Sequence, residues 1–230
     1  MGQNIHEEAS RSMSSESVEQ ASIPSNSLPL GLRKAFAAVA LCAAGIPLLG
    51  AALVTWVSLG RPLFFFQERV GLNGVPFRII KFRTMSNTTD ASGTPLSDEQ
   101  RTPTASRFLR RMRLDELPQL LSILRGDMAF VGPRPLLPET IREMGMWGVQ
   151  RCKVRPGLTG WSQVSGGPLL TNDQKLALDL WYVEKRSVWL DLAIVLKTLL
   201  VVFRGDRINL RNVAEAEHLM RLANIRRGGR

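Results

Sequence analysis

Cysteine and histidine are scarce: the 230-residue chain holds two of each. Cys42 and Cys152 fall in different parts of the chain, so no disulfide framework is suggested. His6 and His218 lie near opposite ends, so no Cys/His set has the spacing of a zinc site. Aromatic residues make up only 7% of the sequence, and no nucleic-acid module accompanies the formal charge of +10. The basic residues sit beside carboxylates rather than in an aromatic-lined stripe, which argues against a nucleic-acid partner. There is also no internal repeat, phosphate-binding Walker loop or dinucleotide glycine fingerprint.

The charge that is present is unevenly placed. Residues 1–28 carry Glu7, Glu8, Glu16 and Glu19 against Arg11, are rich in Ser, Gln and Asn, and show no apolar period, so they are expected to be a disordered tail. Residues 35–59 then run without a formal charge. As a continuous helix they would extend about 37 Å, enough for a hydrocarbon core of ~30 Å. The run is too long for a signal-peptide core and follows a polar leader, so it is expected to be retained. Pro47 near its midpoint removes a backbone donor and predicts a bend. A single crossing and a re-entrant hairpin compete. Arg33-Lys34 on one side and Arg61 on the other favour the hairpin, with both ends kept inside.

Residues 61–85 alternate short β-prone pieces with turn residues and predict a hairpin, on which Lys81 and Arg83 share a face. Residues 86–104 are Ser/Thr/Asp-rich and predict a loop, passive or able to close over a ligand. The densest chemistry follows at residues 114–135, LDELPQLLSILRGDMAFVGPRP. Adjacent carboxylates converge most easily where a chain enters a helix. Asp115 as N-cap, Pro118 in the first turn and Leu120, Leu121, Ile123 and Leu124 behind them supply such an entry. The pair could simply cap a helix and complement its dipole. Arg107, Arg110, Arg111 and Arg113 before it and Gly-Pro-Arg-Pro after it point instead to phosphate chemistry, because two prolines present Arg134 from a stiff backbone.

Downstream, residues 138–150 predict a helix with Ile141, Met144, Met146, Trp147 and Val149 apolar, either core or lying on lipid. Arg155-Pro156-Gly157 repeats the arginine-proline-glycine theme. Residues 173–184 and 190–203 predict two more helices, and the basic end, 206–230, with Arg226, Arg227 and Arg230, is expected to be a tail that touches anionic lipid.

Taken in order, these motifs resemble the bacterial sugar transferase family, the small monotopic phosphoglycosyl transferases. The resemblance is carried by Arg33-Lys34, Pro47, PLFFFQERVG from Pro62, KFRTM from Lys81, LDELPQL, GDM from Gly126, VGPRP, RPGLTGW from Arg155, Gln163, Trp181-Tyr182-Val183 and Asp191, across residues 32–205. It implies an α+β, mainly helical fold. A re-entrant membrane helix at residues 32–60 would precede a catalytic domain at 61–205, bound at the interface and containing a short β-hairpin. It implies transfer of a sugar-1-phosphate from a UDP-sugar to polyprenyl phosphate at the cytoplasmic face of a bacterial inner membrane, releasing UMP. Asp115 would be the nucleophile, forming a covalent phosphosugar intermediate, and Glu116 would help hold Mg2+. Arg134 would steady phosphate, with Lys81, Arg83, Arg110 and Arg155 as further substrate contacts. Asp191 matches an acidic family position with a metal or structural role. The alternative is an inactive membrane scaffold of the same fold, and a homodimer is left open. The chain departs from the family at Ala37, where Asp is usual, at Ile46, where Ser is frequent, and at Arg113, where Ser is common.

Overall fold

The computed structural model describes residues 29–228, so the acidic tail expected at 1–28 lies outside the described residues. The uncharged run forms two helices, α1 (Leu30–Ala43) and α2 (Gly45–Leu59), bent by 59°. The bend falls at Ala44 rather than at Pro47. Proline occupies the first turn of the second helix, where its missing N–H costs nothing, and the chain breaks just upstream. No single helix among the described residues is long and apolar enough to cross a membrane, but this bent pair is when taken together.

Both arms of the pair are built into the protein. Ala37 of α1 is completely buried with Ile79, Leu120, Ile123 and Met128, so the position where the family usually has Asp here serves packing. Ala51 of α2 is buried with Phe82 and Leu109. The opposite side of α2 is bare: Ile46, Leu49, Leu53 and Trp56 recur at helical spacing and are all exposed.

The predicted hairpin is β1 (Phe64–Val70) and β2 (Pro76–Phe82), antiparallel with Phe66 opposite Ile80. The stretch expected to be a loop contains one short helix, α3 (Asp98–Arg101), started by a reciprocal capping box between Ser97 and Gln100. Next come α4 (Thr104–Arg111), a 3-10 turn (Leu114–Gln119) and α5 (Leu120–Arg125). Strand β3 (Ala129–Val131) follows.

The helix expected over 138–150 is two pieces, α6 (Pro138–Glu143) and α7 (Met146–Arg151). Gly145, at φ 55, turns the chain between them, and Gly148 lets α7 press against the Ile141 carbonyl, where a Cβ would approach to 2.3 Å. Strand β4 (Gly157–Thr159) pairs in parallel with β3, and a short helix α8 (Trp161–Val164) leads to α9 (Asn172–Lys185) and α10 (Val188–Arg204). Within the span expected to be a basic tail, the chain from Leu210 to Gly228 forms helix α11. Its Val213 and Ala216 join the largest core cluster with Leu178, Tyr182 and Ile194. Arg226, Arg227 and Arg230 lie beyond the described side chains. The result is a mainly helical fold with a two-stranded antiparallel sheet and a second, parallel pair.

Candidate active site

Asp115 and Glu116 sit in the 3-10 turn, both buried. Asp115 is not an N-cap. Arg113, two positions back, takes the N-cap place in a left-handed conformation (φ 54), and no side chain caps the turn. The carboxylates open into a cavity of about 640 Å³ that is also lined by Lys81, Arg110, Arg113 and Arg134. Across its whole wall, seven cationic side chains face four carboxylates, the balance expected for a site that takes a multiply charged anion.

The two carboxylates have different environments. Arg134 Nη2 donates to Glu116 Oε1 at 2.6 Å, and Arg113 lies 3.8 Å from Oε2. Burial acts to raise the Glu116 pKa, but the charge and hydrogen bond of Arg134, helped by Arg113 and Lys81, outweigh it and hold the group below the usual range. Asp115 has no comparable partner. Burial first, and then the neighbouring Glu116 charge, push it up to about 6, against the opposing pull of Lys81. One carboxylate is therefore held as an anion by arginine, and the oxygens of the other are unclaimed by an arginine fork.

This asymmetry predicts a pH limb. If ionised Asp115 attacks phosphorus, the rate without divalent cation should fall below about pH 6, by about tenfold per pH unit once well below it. A rate unchanged down to pH 5 would contradict that role.

Lys81 reaches the cavity from β2 with its ammonium 5.1 Å from the centre of the Phe65 ring, and burial lowers its pKa while Asp115 and Glu116 pull it back. Arg110 lines the wall from α4. The structure thus brings together Asp115, Glu116, Arg134, Lys81 and Arg110. Three expected residues are elsewhere. Arg83 follows the end of β2 and donates to the Leu59 and Gly60 carbonyls, securing the end of α2. Arg155 donates from Nε to the Gly126 carbonyl at 2.9 Å and borders a separate cavity. Asp191 borders that second cavity, accepting from the Tyr182 hydroxyl at 2.7 Å, whereas Glu116 borders the first.

The support behind Arg134 was not foreseen. Arg151 from α7 donates to the Arg134 carbonyl and, at 2.8 Å, to Asp179 of α9, whose other oxygen accepts from Ser162 at 2.7 Å. Arg151 and Asp179 are almost completely enclosed. Asp179→Ala would leave a buried guanidinium uncompensated and is expected to cost about 3–5 kcal/mol in chemical denaturation. The signals in the sequence were an Arg and an Asp inside otherwise apolar helical stretches, and their pairing depends on how α7 and α9 pack.

The loop bearing Arg134 is set by two close chain crossings. Gly132 N–H donates to the Thr159 carbonyl at 2.9 Å and Gly157 N–H to the Pro133 carbonyl at 3.0 Å. A Cβ on Gly157 would fall 2.1 Å from the Gly132 nitrogen, and one on Gly160 2.1 Å from the Gly132 oxygen. The glycines of VGPRP and RPGLTGW therefore permit two backbones to touch, and this contact aims Arg134 at Glu116.

The profile of the bacterial sugar transferase family matches residues 32–205, a span that holds Asp115, Glu116, Arg134, Lys81 and Arg110. The chain belongs to the bacterial sugar transferase family. It is 40% identical over 177 residues to the uncharacterized sugar transferase EpsL of Bacillus subtilis, covering 77% of this chain and 88% of that protein. It is 36% identical over 164 residues to the UDP-glucose:undecaprenyl-phosphate glucose-1-phosphate transferase of Escherichia coli, 67% of this chain and 35% of that protein. Likewise it is 36% identical over 153 residues to the UDP-N-acetylgalactosamine-undecaprenyl-phosphate N-acetylgalactosaminephosphotransferase of Aeromonas hydrophila, 63% of this chain and 36% of that protein. The chain thus spans about a third of these two longer relatives, whose names carry different sugars.

Proposed function

We propose that this phosphoglycosyl transferase moves a sugar-1-phosphate from a UDP-sugar to undecaprenyl phosphate, giving the polyprenyl-diphosphate-sugar and UMP. The observation that carries the reading is the carboxylate pair inside the cation-lined cavity. A diphosphate donor and a phosphate acceptor are both anions, so direct reaction would force like charges together. Asp115 avoids this by working in two displacements. Its carboxylate oxygen bonds the phosphorus that carries the sugar, and the bond from that phosphorus to the bridging oxygen breaks as UMP leaves. The acceptor phosphate oxygen then bonds the same phosphorus and the aspartyl oxygen departs, restoring Asp115. Arg134, Lys81 and Arg110 hold phosphate oxygens, and Arg134 keeps Glu116 ionised throughout.

A magnesium ion fits this donor set in one way. Among the described residues no group of three His, Cys, Asp or Glu side chains could hold a metal. Yet the repulsion that raises Asp115 is between two adjacent carboxylates, and Mg2+ is commonly held by one or two carboxylates with substrate phosphates and waters. Asp115 and Glu116 would be its protein ligands, and the ion would neutralise diphosphate charge.

Membrane attachment is part of the same proposal. Both arms of the bent pair pack on one catalytic body while the exposed face of α2 is apolar, which supports a re-entrant anchor in the bacterial inner membrane with the site on the cytoplasmic face. The test uses protein solubilised in detergent or nanodiscs, with magnesium and a panel of UDP-sugars, following UMP. Sustained release from one donor only when undecaprenyl phosphate is present, with a sub-stoichiometric burst in its absence, is the expected result. No release from any donor would overturn the reading.

A further inference from the structure

The second cavity, about 800 Å³, lies between α1 and α10 and shares no lining residue with the carboxylate cavity. Its composition is two-sided. Arg33, Lys153, Arg155 and Arg186 border it together with a single carboxylate, Asp191. The remaining wall is apolar, and Phe36 and Val39 of α1 with Leu192 and Val195 of α10 continue it outward as exposed side chains. A compact anion with a hydrocarbon tail matches both halves, since cations recognise the one and desolvated apolar surface the other.

We propose that this groove is a binding site for an anionic glycerophospholipid, with its phosphate among Lys153, Arg155 and Arg33 and an acyl chain along Phe36, Val39, Leu192 and Val195. The assignment rests on the membrane-associated part of the reading above and not on the transfer reaction. The crowding of like charge at the rim, four cationic side chains around one carboxylate, is consistent with it. An anion there would relieve the repulsion.

The groove does not suit the lipid acceptor of the reaction. Strand β3 supplies its floor through Ala129, Phe130 and Val131, whereas the first residue after β3 to line the reactive cavity is Arg134. A phosphate held in the groove is thus bordered by none of the side chains that surround Asp115. The bound lipid would act as a wedge between α1 and α10, tying the first arm of the anchor to the catalytic body.

The test is lipid binding to the delipidated full-length chain in detergent, counted by native mass spectrometry with dioleoyl-phosphatidylglycerol and dioleoyl-phosphatidylcholine as probes. One phosphatidylglycerol per chain, held at least ~10-fold more tightly than phosphatidylcholine, is expected from several basic contacts at about fivefold each. Lys153 is exposed, so Lys153→Glu should fold and should abolish the preference, while Lys153→Ala, the milder change, should weaken phosphatidylglycerol by about fivefold. Equal affinity for the two lipids, or a preference untouched by both substitutions, would overturn the proposal. So would displacement of phosphatidylglycerol, one for one, by undecaprenyl phosphate, since the acceptor would then own the groove. Because no arm measures UMP, an inactive preparation that still selects phosphatidylglycerol would count against the transferase reading alone.

Discussion

Asp115→Asn should lower UMP release by at least ~10³-fold and eliminate the phosphosugar adduct, because the amide has no anionic oxygen to offer phosphorus. Folding should not suffer. Asp115 has a native-state pKa raised to about 6 by burial and by Glu116, so the native protein binds this proton more tightly than the unfolded chain does. The stability contributed by protonation is full below the ordinary aspartate value and is lost as pH rises through about 6. At pH 7.5 without divalent cation the ionised side chain is therefore a burden on the fold. The neutral isostere removes it, for a gain on the order of 2 kcal/mol by denaturant titration. An inactive variant that is also more stable would separate chemistry from structure at one residue. Full activity in Asp115→Asn would defeat the proposed mechanism.

Gly157→Ala is expected to do the reverse, damaging structure first and activity through it. Its new methyl would lie 2.1 Å from the Gly132 nitrogen and 2.3 Å from the Thr159 oxygen, both backbone atoms that no side-chain rotation can move aside. The β3–β4 pair has to open, which costs about 3 kcal/mol. The same opening withdraws the Pro133 carbonyl from its hydrogen bond and shifts Arg134 away from Glu116. Chemical denaturation should show the loss, and UMP release should fall even at temperatures where the variant is folded. Gly31→Ala, placed where nothing lies within 4 Å, is the matched control and should leave both measurements intact.

Local signals in the sequence were sufficient where local physics decides. The hairpin followed from β-prone runs around Gly71 and Gly74, and α9 matches the helix expected over 173–184, with Thr171 and Gln174 closing a capping box at its start. The same capping signature at Ser97 and Gln100 was present in the stretch expected to be a loop, where a helix of one turn has too little apolar period to announce itself. The carboxylate pair and Arg134 were legible because their chemistry is concentrated in one segment and prolines mark its stiffness. That Arg83, Arg155 and Asp191 do not line the carboxylate cavity could not be read, because a basic or acidic residue in a motif carries no label for which cavity it faces. That depends on crossings such as β3 over β4, between residues far apart in the chain. The Arg151–Asp179 support was hidden for the same reason.

The packing of the bent pair also bears on the order in which this protein can be made. Helices α1 and α2 precede the catalytic domain in the chain, and the surfaces that bury Ala37 and Ala51 come from residues as late as Met128. Until those residues are made the pair lacks the surfaces that bury it in the fold, and under the proposed membrane attachment lipid would be the apolar surface at hand. The anchor would thus reach the bilayer before the enzyme exists, and the catalytic domain would assemble on a template already seated there. Attachment would then be the first step of folding rather than an address read at its end.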